Sequence, residues 1–441
     1  MSEQKSQIFW GHSRSIPGLI TGSGVGYAIS PKLPEIQKIR RSHKRDCETI
    51  HGNMIPESVS YASMEFAFWV SVAGVFYAYF GYPLVLWLLA IARRPDRTAL
   101  PGTTEYSPSL SLVIPAHNEG DVIRRKIENS LSLKVPGEYQ VVVISDGSTD
   151  DTASIAGSFA DEYCITFIDI PERKGKANAL NIGVQNATGE IVVFSDASII
   201  LDRNALIEVA KPFDDPNIGC VSGEDKIDGG GGEGLYGKYE LLLRRLESAS
   251  GSIVGASGSF YAQRRGLVTE FPEGVAPDFL SVLKTIEQGY RAVTCPLAIG
   301  YMTSVVETRE EFRRKVRTVI RGMTALFNNK RLLNPFRFPL TSFFLLSHKL
   351  MRWLVPFLLI VAFVTNLFLI GYSVYPLFLS IQCVPYLLSG MGFVAPALAS
   401  RYMIVRIPLF FSISNAAILI AWVQYLLGVR QEIWGPSKRA T

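Results

Sequence analysis

The chain has 441 residues, of which 48% are hydrophobic and 19% charged, with a formal net charge of +5. A mean hydropathy of +0.20 is high for an ordinary soluble enzyme and points to long apolar segments. The mild charge, without a long basic block, excludes a nucleic-acid arm. Five widely spaced cysteines, with no CxxC and no Cys/His spacing, exclude a zinc site and a disulfide framework.

Residues 1–62 are polar and Gly/Ser-rich without a sustained period, and are expected to be disordered. Residues 63–97 are expected to form a transmembrane helix with a basic flank. Phe66–Ala92 is apolar for longer than the ~20 residues a bilayer needs, and Arg93, Arg94 and Arg97 follow at once. By the positive-inside tendency, the next domain faces the cytosol. Residues 108–330 read as an α/β domain. Leu110–Pro115, Tyr139–Ser145 and Glu190–Ser195 have the short apolar character of buried parallel strands, with helical stretches such as Asn118–Leu133 and Lys174–Ala187 between them. Residues 336–429 are a second membrane region. Phe338–Ser347, followed by His348, Lys349 and Arg352, suits an interfacial helix, and Leu350–Ile370, Tyr375–Ala397 and Pro408–Val429 supply two or three spans. A basic tail, 430–441, closes the chain.

Chemistry concentrates where strands end. Ser109–Glu119 runs off a strand through Pro115 into His117, Asn118 and Glu119. Val141–Asp150 ends a second strand at Asp146-Gly147. Carboxylates at adjacent strand tips can accept hydrogen bonds from a base or a ribose, although Asp-Gly-Ser is also ordinary turn chemistry. In Arg173–Asn181, three cations sit at a loop–helix junction suited to a diphosphate or simply to a solvated helix start. A further strand ends at Asp196-Ala-Ser198, where a carboxylate can hold Mg²⁺ or Mn²⁺ against phosphate oxygens.

Taken in order, these four motifs resemble family 2 glycosyltransferases, and the flanking spans resemble the membrane-bound branch related to cellulose and hyaluronan synthases. The resemblance implies a GT-A fold, a Rossmann-like and mostly parallel sheet flanked by transmembrane helices. It implies inverting transfer of a sugar from a nucleotide-diphosphate donor. Glu119 and Asp146 would contact the nucleotide, and Lys176 and Asn178 would lie near the donor. Asp196 would match the first acid of the Asp-x-Asp metal motif, with Ser198 in place of the second. Gly255–Tyr261, with Gly255, Ser257 and Gly258, resembles the sugar-site loop. Asp278, in Ala276–Leu280, would be the general base, or else a helix cap. Arg309–Asn328 is an amphipathic helix with a stripe of Arg313, Arg317 and Arg321, and its position matches the family's acceptor-holding Gln-x-x-Arg-Trp motif, of which only Arg321 is kept. A basic helix lying on the membrane is the other reading of that stripe.

The expected function is therefore inverting sugar transfer at a cell membrane to a lipid-linked or growing polysaccharide acceptor. The expected cofactor is Mg²⁺ or Mn²⁺, and the catalytic domain is expected in the cytoplasm. Alternatives are the loading of one sugar onto a lipid carrier and an inactive sugar-nucleotide-binding export partner. Membrane lipids and polysaccharide export components are expected partners, and nucleic acid is not.

Overall fold

The computed structural model describes residues 61–93, 106–163, 165–228, 232–303, 308–372 and 374–429. The N-terminal extension up to residue 60, Arg94 and Arg97, Cys47 and Cys164, and the basic tail fall outside them.

The first apolar segment is a continuous helix, α1 (Tyr61–Ala92), which passes through one π-helical turn at Tyr77–Gly81. An α/β domain follows. Strand β1 (Leu110–Ala116) leads to α2 (Gly120–Leu131), and β2 (Tyr139–Asp146) to α3 (Thr152–Glu162). Strand β3 (Thr166–Ile170) then leads to α4 (Lys176–Gln185), and β4 (Ile191–Ser195) to the short β5 (Ile200–Leu201) and α5 (Ala205–Ala210). The second half holds β6 (Ile218–Asp228), α6 (Gly232–Ser250), β7 (Phe260–Arg264), α7 (Pro277–Glu287), β8 (Arg291–Thr303) and α8 (Thr308–Asn328).

Eight strands form one mixed sheet in the order β3-β2-β1-β4-β7-β6-β8-β5. The first four are parallel, and β7 enters antiparallel to both β4 and β6. The strands are apolar on both faces because both are covered. On β1, β2 and β4, Val113, Val142, Ile144, Val192 and Phe194 enter one core, while Leu112, Ile114, Val141, Val143 and Val193 enter the other. The second core is closed by α2, α3 and α5. The first contains Phe279 and Leu280 of α7, Met323 and Leu326 of α8, and also Tyr82, Leu86, Phe344, Leu345 and Trp353 from apolar helices on either side of the domain. One face of the sheet thus shares its core with helices long enough to span a bilayer.

Among the described residues, four helices are long and apolar enough to cross a membrane: α1, α9 (Pro339–Leu369), α10 (Tyr375–Val394) and α12 (Met403–Leu426), with the short α11 (Pro396–Arg401) before the last. The stretch expected as a separate interfacial helix runs on into α9. A π-helical turn at Leu345–Leu350 carries His348 and Lys349 without ending the helix, because their partners lie in the α/β domain.

Candidate active site

The carboxyl ends of β1 and β2 are laced together by their own motif residues. Asn118 adopts a left-handed backbone conformation (φ 51°) and accepts the Thr149 N–H at 2.8 Å. The Glu119 N–H donates to Thr152 Oγ1 at 2.8 Å and the Gly120 N–H to Asp150 Oδ2 at 3.0 Å. His117 is buried, with Nδ1 2.6 Å from the Asp146 carbonyl. Glu119 takes the N-cap position of α2 and is half-buried.

Asp146, buried at the tip of β2, accepts backbone N–H groups of Lys174 (2.8 Å) and Gly175 (2.7 Å) on its two carboxylate oxygens. This fastens the loop that precedes α4. Gly147 completes the clamp: φ is +59°, and a Cβ built there would lie 2.4 Å from the Arg173 nitrogen. From the clamped loop α4 begins at Lys176, whose ammonium forms an ion pair with Asp196 and lies 3.4 Å from the Gly258 carbonyl. Asn178, two residues on, has a buried Nδ2 without a protein acceptor. Asn181 instead exchanges two hydrogen bonds with the backbone of Phe271, which anchors the helix.

Lys176, Asp196, Gly258 and Asp278 line one small cleft whose floor is Phe194 stacked on Tyr261 at 4.7 Å. Gly258 is close enough to the Asp278 carboxylate that a Cβ there would stand 3.8 Å from Oδ2. The rest of the 255–258 loop is held from beneath. Buried Ser257 donates to Asp225 at 2.7 Å and accepts the N–H groups of Ser259 and Phe260, so its hydroxyl serves the loop and not the cleft. Gly255 faces a second chamber, which Asp278 also lines.

Asp278 is not the cap of α7: Ala276 takes that position and Asp278 falls in the first turn. Burial pushes its carboxyl above the usual range, and the nearby Lys176 ammonium only partly offsets this. On α8, Arg317 and Arg321 are half-buried. Burial and the neighbouring Arg317 bring Arg321 down to about 10, with Asp278 acting in the opposite sense. The structure therefore brings Lys176, Asp196, Gly258 and Asp278 to one cleft, with Arg321 in the electrostatic field of Asp278. Glu119 and Asp146 stand at the strand tips as parts of the loop scaffold.

One residue beneath the cleft is invisible to motif reading. Lys126 on α2 is completely buried and donates to Ser195 Oγ (2.7 Å) and the Ile199 carbonyl (2.8 Å), bracketing the Asp196–Ser198 turn. Burial brings its ammonium down to about 7, although Asp196 favours the charged form. Below that pH the buried charge costs on the order of 5 kcal/mol relative to the unfolded chain, and the cost is relieved as pH rises toward the ordinary lysine range. The apparent Tm should accordingly rise between about pH 7 and about pH 10. Lys126→Met should flatten that rise, as read by a thermal-shift series across pH, and an unchanged slope would contradict the assignment.

Residues 111–267 match the model of glycosyl transferase family 2. The chain carries a family 2 glycosyl transferase domain. Poly-beta-1,6-N-acetyl-D-glucosamine synthase of Staphylococcus aureus (strain MSSA476) is 28% identical over 206 residues, 44% of this chain and 49% of that one. The corresponding synthase of Staphylococcus epidermidis is 29% identical over 181 residues, covering 38% and 43%. The chain thus spans about half the length of the curated relatives it matches. The mannosyltransferase PcManGT of Pyrobaculum calidifontis, solved with GDP-Man and Mn²⁺, superposes with a TM-score of 0.63 at 23% identity, covering 82% of this chain and 99% of that one. That match shows a shared fold for the transferase domain and the apolar helices around it.

Proposed function

We propose that the chain is an inverting glycosyltransferase that moves a sugar from a nucleotide-diphosphate donor to a lipid-linked or growing polysaccharide acceptor at the membrane. The observation that carries this reading is the convergence of Lys176, Asp196 and Asp278 on one cleft beside the Gly258 backbone. The two curated relatives are named poly-beta-1,6-N-acetyl-D-glucosamine synthases, which supports a polysaccharide product, and PcManGT holds GDP-Man with Mn²⁺ in the same fold.

In this mechanism the acceptor hydroxyl gives its proton to Asp278 as its oxygen attacks the anomeric carbon. The bond from that carbon to the diphosphate breaks with inversion, and the electron pair leaves on the diphosphate. Lys176 and the basic residues of the 173–176 loop stabilise that charge. The Asn178 amide, buried without a protein acceptor, is assigned to the donor side. Asp146 and Gly147 act by positioning the loop, and Glu119, at the tip of β1, contacts the nucleotide. Arg317 and Arg321 lie on the acceptor or diphosphate side.

The donor set around Asp196 fits a divalent cation held by one carboxylate. One Asp196 oxygen is paired with Lys176, and Ser198, two residues on, carries a hydroxyl in place of a second acid. Bound there, Mg²⁺ or Mn²⁺ would neutralise part of the leaving diphosphate. Transfer should therefore need added Mg²⁺ or Mn²⁺. Ser198→Asp should lower the metal concentration for half-maximal rate, because a carboxylate binds a hard cation better than a hydroxyl does. Full activity after exhaustive chelation would refute this.

The Arg93–Arg97 cluster supports a cytoplasmic catalytic domain, by the positive-inside tendency. A screen of the purified chain against labelled nucleotide sugars tests the whole reading. Transfer from none of them would leave the export-partner alternative.

A further inference from the structure

A chamber of about 260 Å³ lies between the 255–258 loop, α6, α8 and the π-helical turn of α9, with Asp278 at one side. Its charges are unevenly matched. Glu240 pairs with Arg352 and stands 3.2 Å from His348 Nε2. Burial favours the neutral form of Glu240, but the Arg352 guanidinium and His348 outweigh it and hold the carboxyl well below its usual range. Glu247 receives His348 Nδ1 at 2.6 Å and the Tyr82 hydroxyl at 2.7 Å. Lys349 shares in neither pair. Its ammonium faces the chamber over the Phe279 ring, 5.5 Å from the centroid, beside Gly255, where a Cβ would be 3.4 Å away. Arg244, which donates to the Ser222 hydroxyl and the Gly223 carbonyl, also lines the chamber, so two cations outside the carboxylate pairs stand against Asp278 and the space attracts an anion within the reach of the proposed base.

A second space of about 660 Å³ adjoins it, and the two share Tyr79, Tyr236 and Ser414 as lining residues. This groove lies among the apolar helices α1, α9, α10 and α12, and its walls include Phe76, Phe80, Ile381 and Ile407, which are exposed on the outer surface of the bundle. A groove with such walls opens sideways to acyl chains. It would be a poor conduit for a glycan, whose hydroxyls would lose water without gaining partners. Apolar groove, cationic chamber and proposed base follow one another in the order tail, anionic headgroup, hydroxyl.

We infer that the chamber is the headgroup site of a phosphate-bearing lipid, its tail in the groove, its phosphate on Lys349, and a headgroup hydroxyl presented to Asp278. The assignment of that lipid as acceptor rests on the transferase reading. It favours a lipid-linked acceptor over a polysaccharide threaded through the helices. In the transfer step the headgroup oxygen bonds to the anomeric carbon, the donor's carbon–phosphate oxygen bond breaks, and the hydroxyl proton passes to Asp278.

The test uses the full chain in detergent, without donor, and three probes: hexadecyl phosphate, hexadecanol and inorganic phosphate. Hexadecyl phosphate should bind about tenfold or more tightly than either of the others, because only it fills both spaces. Lys349→Met should weaken its binding about 10–100-fold while leaving hexadecanol unaffected, and Lys349→Arg should retain it. Equal affinity for the phosphate and the alcohol, or for inorganic and hexadecyl phosphate, overturns the proposal. So does unaltered binding of hexadecyl phosphate in Lys349→Met. Should that variant not fold, the wild-type ratios decide alone. A chain that binds hexadecyl phosphate but turns over no nucleotide sugar rejects the transferase reading only. A chain that turns over donor but does not distinguish the probes rejects the chamber only.

Discussion

Asp278→Asn should fold, bind donor nucleotide and transfer sugar about 10²–10⁴-fold more slowly than wild type, the usual cost of removing a general base. The substitution is nearly isosteric, and the cap of α7 is Ala276, so the helix start should survive it. What disappears is the group able to accept the acceptor's proton beside Gly258. A pH profile adds an independent readout. A carboxyl held above its ordinary range by burial becomes protonated earlier as pH falls. The acid limb of the wild-type rate should therefore begin above the range of an exposed aspartate. Near-normal transfer by Asp278→Asn, with donor binding intact, would place the base elsewhere.

Gly147→Ala should be the most damaging single methyl group in the donor half of the site. Its left-handed backbone costs a residue with a Cβ about 1–2 kcal/mol. The added carbon would also meet the backbone of Arg173 at 2.4 and 2.8 Å, where no side chain can swing away. The loop must shift, and it is the same loop that Asp146 holds through the N–H groups of Lys174 and Gly175. We expect at least about 2 kcal/mol of destabilisation, together with a weaker donor affinity because Lys176 loses its register with Asp196. Isothermal titration with nucleoside diphosphate and a thermal melt check both. Wild-type donor affinity in Gly147→Ala would show that loop placement is not what Gly147 secures.

The parallel half of the sheet was legible because buried strands ending in polar turns are a strong local signal. Tyr139–Ser145 and Leu110–Pro115 fall within one residue of β2 and β1. The antiparallel entry of β7 was not, since strand direction depends on contacts far apart in the chain. Within the site, Asp196, Lys176 and Asp278 stood out as polar groups at element ends. The work done by Asp146 did not, because its partners are main-chain N–H groups that any residues would supply. Lys126 lies in a charged helical stretch that reads as a solvated face, and only the fold turns it inward. His348, Lys349 and Arg352 looked like the flank of an apolar run, yet an ionisable group inside such a run is itself a signal of function. The carboxylates that pair with His348 and Arg352, Glu240 and Glu247, are about a hundred residues away in sequence.

Those partners also decide how the molecule can be divided. Tyr82 of α1 and His348 of α9 both end on Glu247, the Tyr239 hydroxyl returns to the Tyr79 carbonyl, and Arg93 reaches the Ser250 carbonyl at 2.7 Å. Cutting the transferase domain free would strand a buried carboxylate and uncover the sheet face that Leu86 and Trp353 now fill. The position of the cleft relative to the apolar helices is thus set by side chains a few ångströms long, as a tool is clamped to its bench.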